Sequence, residues 1–325
     1  MLINRVYTGF FKHGYILWCF LVALSYSLPA HTMMNFPNPK ITLVFDEPDR
    51  LELPKNFRKA DSPFKATIGP YPTRLGLDNL RMSGSGQFSK DTLKKAIQTL
   101  PGKIWIVDLR KESHGFVNGI PISWYTDGNQ GNVDESDDNI QRQEEMLFSD
   151  LNKQSSILVN KILEKKDGVI QKTHEYKINM VKAQTENSLI NDFNLRYLRL
   201  GIPDHRRPQD AEVDVFLDFV KSLPQDAWLY FHCRGGKGRS TTAMTMFDIL
   251  HNADQVSLED IVLRQSLIGG SDLFKISDEF EDAWKRDAAV ERKNFITRFY
   301  QYVKDTRHGY PNQSWSNWAK SHTQP

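Results

Sequence analysis

Apolar residues recur along this chain with two periods, and each change of period marks an element. Ile41 to Phe45 is a short apolar run that predicts a strand, while the Pro and Gly punctuation from Pro54 to Gly86 predicts loops. Ser89 is placed to cap a helix through Leu100, because Leu93, Ile97 and Leu100 return at helical spacing. Lys103 to Leu109 is compact and apolar, as a central strand requires. It ends in Asp108, Leu109 and Arg110, where Asp108 and Arg110 are expected to act structurally at the strand end.

Beyond Gly115 the pattern changes. After the acidic stretch Asp134 to Asp138, the residues Ile140, Leu147, Leu151, Leu158 and Ile162 fall on one helical face until Asp167 and Gly168, so one helix is expected there. Tyr176 to Val181 alternates like a strand. Residues of about 115–185 are therefore expected to form an inserted or small second domain. From Asn194 the signals sharpen. Leu195 to Ile202 reads as a strand, Pro208 as the first turn of a helix to about Ser222, and Ala227 to His232 as another strand. A helix carrying Ala243, Met246, Phe247 and Leu250 follows Arg239, and a further one opens at Ser257 with Asp260 as capping partner. Strand, loop and helix repeated in this way predict an α/β layer architecture.

Composition narrows the class. The 325 residues are 39% hydrophobic and 25% charged, as in a folded chain with a full-sized core. Lys plus Arg number 42 against 40 Asp plus Glu, so the chain as a whole is no polycation for nucleic acid or a membrane surface, and any anion site is local. At the N-terminus Arg5, Lys12 and His13 precede an apolar run from Tyr15 to Leu24, followed by Ser25, Ser27 and Ala30. This is the layout of a secretory signal peptide over residues 1–30. The run is too short to cross a bilayer, which takes roughly 20 apolar residues. No stable membrane association is expected once the signal is removed. Of the 2 cysteines, Cys19 lies inside that signal, so Cys233 is the single thiol of the processed chain and cannot form an internal disulfide.

Cys233 belongs to the run His232-Cys233-Arg234-Gly235-Gly236-Lys237-Gly238-Arg239-Ser240, between a predicted strand and a predicted helix. Gly235, Gly236 and Gly238 let consecutive backbone N–H groups turn inward as an anion nest, and the following helix adds the positive end of its dipole. A cysteine at the floor of such a nest faces donors that favour the thiolate, the nucleophilic form. Arg239 can return across the loop to grip two phosphate oxygens through its planar fork. Ser240 is placed to hydrogen-bond the sulfur as it leaves, and His232 to orient the loop. Cleavage of a phosphate ester also needs an acid for the leaving oxygen. Asp204, in Ile202-Pro203-Asp204-His205-Arg206-Arg207-Pro208, is the candidate, on a loop expected to swing over bound substrate where desolvation keeps its carboxyl protonated.

The spacing from Cys233 to Arg239 matches the Cys-x5-Arg signature of the protein-tyrosine-phosphatase superfamily. Further runs narrow the resemblance: Asp108-Leu109-Arg110 with Glu112-Ser113-His114-Gly115, Pro203 to His205, Leu223 to Trp228, and Gln265 with Gly269-Gly270. These resemble the bacterial tyrosine-phosphatase-like inositol phosphatases, or cysteine phytases, over most of the chain from about residue 50 to Trp315 and Trp318. The resemblance implies a phosphatase α/β core, a central sheet flanked by helices, joined to a small inserted β-barrel-like domain. It implies stepwise removal of phosphates from myo-inositol hexakisphosphate with no metal or other cofactor. Cys233, Arg239 and Asp204 fall on the family's nucleophile, loop arginine and acid, and His205 on the histidine after the acid. Lys285 and Arg292, beside Trp284, fall on its downstream basic residues, and Asp127, Lys172 and Arg58 on its remaining substrate contacts.

Several relatives carry an acidic or small residue where this loop has Arg234 and Lys237. Two added cations suit a substrate with several phosphates, each near −1.5 to −2 in charge by roughly the phosphoryl rule. Lys285 and Arg292 share a face if their segment is helical, while the aromatic tail with Tyr300, Tyr302, Trp315 and Trp318 is expected to pack into core. A phosphoinositide or protein tyrosine phosphatase would use the same nucleophile in a differently shaped pocket, and a phosphate-binding module without catalysis would lack one of the three central residues. The location implied is secreted or periplasmic, or, as in related effectors, a host cell.

Overall fold

The structure, a computed structural model, describes residues 41–46, 52–276, 283–308 and 313–322. The signal-peptide segment lies outside them. In chain order the elements are β1 (Thr42–Phe45), β2 (Arg58–Lys59), β3 (Met82–Ser85), α1 (Lys90–Ile97), β4 (Lys103–Arg110), β5 (His114–Val117), β6 (Ile120–Tyr125), α2 (Asp137–Leu151), β7 (Ser156–Lys166), β8 (Val169–Asn179) and β9 (Ala183–Thr185). Then come α3 (Glu186–Asp192), β10 (Arg196–Ile202), α4 (Asp210–Ser222), β11 (Ala227–His232), α5 (Gly238–Asn252), α6 (Leu258–Leu267), α7 (Ala283–His308) and α8 (Trp315–Ser321). A 3-10 turn, Asp127–Asn129, separates β6 from α2.

A five-stranded sheet, ordered β10-β4-β11-β3-β2, forms the centre. Its first four strands are parallel, and β2 is antiparallel to β3. The side-chain period of two sorts β4 and β11 cleanly between the two faces. Val107, Leu109, Leu229, Phe231 and Cys233 face one core, shared with α4 to α8. Ile104, Ile106, Trp228 and Tyr230 face the other, against α1 and α3. Cys233 is thereby sent to the α5 side and its neighbour His232 to the opposite side. Because four strands run the same way, their carboxyl ends open on one edge, where ligands bind in open parallel sheets.

Most of the rest, residues 114–185, joins β1 in a second sheet ordered β8-β7-β1-β6-β5-β9, with its own core around Ile122, Phe148 and Val159. The pairing runs from β8 to β9 as a strip with two ends. Among the described residues, no pairing closes this strip into the barrel expected of the inserted region.

Three expectations need correction. The helix foreseen to Ile162 stops at Leu151, and Leu158 and Ile162 lie on β7, paired with Lys177 and Thr173. A spacing of four residues fits both one helical face and one strand face, so these two leucine-like positions carried no distinction. The stretch from Pro54 to Gly86 contains β2 and β3, which sequence reads as loop because Gly84 lacks a side chain. A Cβ there would stand 2.5 Å from the Met244 sulfur, so the glycine is what lets α5 pack on the sheet. Pro208 precedes the N-cap Gln209, so it stands before the first helical turn. The caps at Ser89 and Ser257 are as expected, each side chain accepting an N–H three residues on.

Candidate active site

The loop 233–237 fills the gap between β11 and α5 at the open edge. Its carbonyls are tied outward. Arg234 O accepts the Gln87 N–H (3.1 Å), Gly235 O the Asn56 amide (2.8 Å), and Gly236 O the Arg58 Nη1 (2.8 Å). In a trans peptide the next N–H points opposite the carbonyl, so these ties turn the amides of residues 235–237 inward. Gly236 has φ +71°, and a Cβ on it would lie 2.2 Å from the Gly86 nitrogen, so only glycine lets the loop seat on the end of β3. Cys233 is buried beneath, 3% exposed, its sulfur accepting the Gly236 N–H at 3.2 Å. The Ser240 hydroxyl stands 3.2 Å from that sulfur and 3.1 Å from the Ser85 carbonyl, with one proton for the two acceptors.

Arg239 enters from the first turn of α5. Its Nη1 and Nη2 donate to the two Glu112 oxygens at 2.8 and 3.1 Å, and its Nη1 donates to the Ile202 carbonyl at 3.0 Å. Its Nε–H is buried and without a partner, a donor held ready for an acceptor. Burial pushes the Glu112 carboxyl up, but Arg239 and then Arg110 outweigh it and hold it well below the usual carboxylate range. Glu112 belongs to a chain of alternating charges: Arg234 to Asp46 (2.8 Å), Asp46 to Arg110 (2.7 Å), Arg110 to Glu112 (2.8 Å). The two arginines of the loop are thus joined through buried groups of both sheets.

Asp204 follows β10. Its Oδ1 lies 3.1 Å from Arg239 Nη2 and accepts the His205 N–H (3.0 Å), and its Oδ2 accepts the Asn129 amide (3.0 Å). Burial pushes this carboxyl up, as the sequence suggested, but Arg239, together with His205 and the Asn129 amide, outweighs it, so the unliganded Asp204 is held below its ordinary pKa. The loop is also fastened. Gln130 donates to the Asp204 carbonyl (3.0 Å), Arg292 to the His205 carbonyl (3.2 Å), and Arg207 pairs with Glu291 (3.1 Å). His205, at φ +64°, lays its ring edge-on to Trp284 at 5.4 Å.

Around this centre lies a cationic rim. Lys285 stands over Trp284 (5.5 Å), and Arg292, on the same face of α7, reaches Gly238 and His205. Across the pocket the Tyr125 ring carries two cations, Arg234 at 5.1 Å and Lys165 at 5.5 Å. Lys165 is the lysine of the β7–β8 hairpin that reaches the site. Crowding of protein around its ammonium, then the Arg234 charge, push its pKa down, partly offset by Asp204. Lys172, chosen from sequence, pairs opposite Glu164 and is exposed. Asp127 opens the 3-10 turn beside Tyr125 and is exposed. Lys237 turns back to the Gly269 and Gly270 carbonyls (3.0 and 3.2 Å). Arg58 is 3% exposed and lies behind the loop, bonded to Gly236 O and Thr241 Oγ1, with burial pulling its pKa down to about 10.

Behind the loop, His232 Nε2 meets Glu186 at 2.6 Å, and His114 Nε2 lies 3.2 Å from Asp108 and 3.3 Å from Glu186. Asp108, His114 and Glu186 are the one cluster among the described residues with metal-ligand spacing. Burial and Arg110 lower the His114 pKa, yet the carboxylates push it up to about 10, so a protonated imidazole supplies the positive charge there. Glu112, Asn129, Asp46 and Lys165 were not singled out from sequence. Glu112 alone had a signal, its place in the run from Asp108 to Gly115.

Comparison with known proteins places this geometry. The PTP-like phytase family model, described as inositol hexakisphosphate, matches residues 107–251. The effector protein hopD2 of Pseudomonas syringae pv. tomato is 29% identical over 253 residues, covering 75% of this chain and 52% of hopD2. The PTP-like myo-inositol phosphatase of Mitsuokella multacida, solved with myo-inositol-(1,3,4,5)-tetrakisphosphate, superposes with a TM-score of 0.81 at 36% identity, over 89% of this chain and 49% of that one. This chain therefore spans about half the length of those two relatives. A PTP-like phytase of Bdellovibrio bacteriovorus matches over 87% of this chain and 97% of its own, at a TM-score of 0.67 and 34% identity. Similarity at that level across nearly a whole relative, with the Cys-x5-Arg loop seated at the open sheet edge, makes this chain a member of the PTP-like phytase family.

Proposed function

We propose that this chain removes phosphates stepwise from myo-inositol hexakisphosphate and lower inositol polyphosphates through a cysteinyl-phosphate. The observation that carries the reading is the convergence of the Cys233 sulfur, a buried and unpaired Arg239 N–H, and the Asp204 carboxyl on one pocket. In the first step the thiolate attacks phosphorus, the bond to the inositol oxygen breaks, and that oxygen takes the Asp204 proton. In the second, water attacks the phosphoryl sulfur compound, Asp204 accepts the water's proton, and the thiolate leaves as inorganic phosphate forms. Ser240 steadies the departing sulfur. Every proton and charge in this scheme is handled by side chains of the chain itself.

Arg239 is the counter-ion of Asp204 only until phosphate arrives. A dianion in the nest takes the arginine's free N–H groups and repels the nearby carboxylate, so binding itself raises the proton affinity of Asp204. A rim of Arg234, Lys165, Lys285 and Arg292 favours a substrate with phosphates beyond the one being cleaved. Lys172, Asp127, Lys237 and Arg58 are assigned secondary parts, the last two in holding the loop.

Release of phosphate from inositol hexakisphosphate, a phosphoinositide and a phosphotyrosine peptide, each with Cys233→Ser as control, tests the reading. Highest kcat/KM on the soluble inositol phosphate is expected. Activity confined to phosphotyrosine removes the assignment. Similarity to hopD2, named an effector protein, favours export to act outside the producing cell, with residues 1–30 as one route. Among the described residues no helix is long and apolar enough to cross a membrane. A secretion assay with and without residues 1–30 decides the route.

A further inference from the structure

The geometry points to Asn129 as the residue that aims the Asp204 proton at the bound phosphate ester, a positioning role that rests on reading Asp204 as the acid. Asn129 ends the 3-10 turn after β6 in a left-handed conformation, φ +57°, and is 3% exposed. Its Nδ2 donates one hydrogen to Glu112 Oε1 (3.1 Å) and the other to Asp204 Oδ2 (3.0 Å). Between two carboxylates a carboxamide can only present its N–H side, since its oxygen would repel both. The oxygen is consequently left buried with no partner. An orphaned buried carbonyl costs stability, and here it comes with a strained backbone, at a point where only the acid and its neighbour Glu112 gain a bond.

Asp204 needs such a guide. Its two oxygens are chemically equivalent, and only Oδ1 faces Arg239 and hence the phosphate. Rotation about the Cβ–Cγ bond would carry a proton from Oδ1 round to the Asn129 side. Both oxygens accept an N–H, Oδ1 from His205 and Oδ2 from Asn129, but Asn129 presents only donors to Oδ2 and so gives a proton there no acceptor, whereas at Oδ1 the bound ester oxygen is one. The same bond favours the carboxylate, so its removal raises the proton affinity of Asp204 while loosening its aim. Gln130, the next residue, donates to the Asp204 main-chain carbonyl, so backbone and side chain of the acid are held from one short segment.

The test uses leaving groups. An inositol alkoxide needs a proton to depart, whereas the phenolate of p-nitrophenyl phosphate leaves unprotonated. With the full chain, Asp204→Asn should lose far more turnover on inositol hexakisphosphate than on p-nitrophenyl phosphate. Equal loss on both ends the acid reading and this inference with it. Given that selectivity, Asn129→Leu should copy it in part, with about tenfold or more extra loss on the inositol phosphate. Its basic limb in kcat/KM should also move to higher pH. If Asn129→Leu or the smaller Asn129→Ser loses activity equally on both substrates, or the limb stays put, Asn129 is a packing residue only. Should the Leu variant fail to fold, Asn129→Ser is judged by the same two criteria.

Discussion

The two sheets meet at one pocket and supply it differently. The five-stranded sheet delivers the groups to which the proposed reaction assigns phosphorus and its leaving oxygen, each at the carboxyl end of a strand or just beyond: Cys233 after β11, Asp204 after β10, with Glu112 after β4 as the anchor of Arg239. The six-stranded sheet delivers groups that touch those groups or the pocket wall: Asp46 on Arg234, Asn129 on Asp204, and Tyr125 beneath Arg234 and Lys165. Reaction chemistry sits where backbone geometry fixes position within a few residues. Orientation and recognition sit on contacts made over long stretches of chain, which change more freely without disturbing the loop.

If that division is right, the largest effects come from the first sheet. Arg239→Lys keeps the charge but loses the fork, and kcat on inositol hexakisphosphate should fall about 10²–10³-fold with a smaller change in KM, read by steady-state kinetics. Glu112→Gln leaves Arg239 and Arg110 sharing no carboxylate, and urea unfolding should show a loss of about 3–5 kcal/mol, the usual cost of breaking one side of a buried pair. An unchanged midpoint would mean that the charge chain contributes nothing to the fold.

From the second sheet the effect should be milder and of another kind. Lys165→Met should raise KM for inositol hexakisphosphate by about tenfold at most with kcat nearly unchanged, as loss of uniform binding does. On p-nitrophenyl phosphate, which has no second phosphate, it should be silent. A fall in kcat on both substrates would erase the distinction between the sheets.

The pH profiles sharpen the same contrast. Arg239, helped by His205 and the Asn129 amide, holds Asp204 below its ordinary pKa in the free protein, and in the proposed mechanism bound phosphate withdraws that arginine. The basic limb of kcat/KM, which reports the free protein, should therefore lie at lower pH than that of kcat. His114 titrates in the opposite sense. Its folded pKa is raised from 6.5 to about 10, so its contribution to stability is whole below about 6.5 and is lost as pH rises towards about 10. Urea midpoints measured across that window should fall for the native chain and fall less for His114→Asn.

How much of this could be read in the sequence follows the same division. The strands β4, β10 and β11, the helices after them and the loop of Cys233 and Arg239 are local features, each announced by period, caps or glycines within a dozen residues. The β3 strand was hidden because its Gly84 has no side chain to show a period, and β7 because Leu158 and Ile162 fit a helix as well as a strand. Lys165 rather than Lys172 reaches the pocket, from a stretch of the β7–β8 hairpin whose register shifts between Ile162 and Lys165. No local pattern encodes such a shift. Asn129 looks like any turn residue after a strand, and its partners lie 17 and 75 positions away. The loop of Asp204 was expected to be a mobile lid, but the residues that fasten it, Asn129, Gln130, Arg292 and Glu291, come from two distant segments.

The central claim is that phosphate passes through the Cys233 sulfur. Slowing the second step with Asp204→Asn, quenching in acid during turnover of p-nitrophenyl phosphate and mapping the peptides by mass spectrometry tests it directly. One phosphoryl group on the peptide containing Cys233, absent from a Cys233→Ser control, is the expected result. Turnover that continues in Cys233→Ser, or a phosphoryl group found on any other residue, would contradict it.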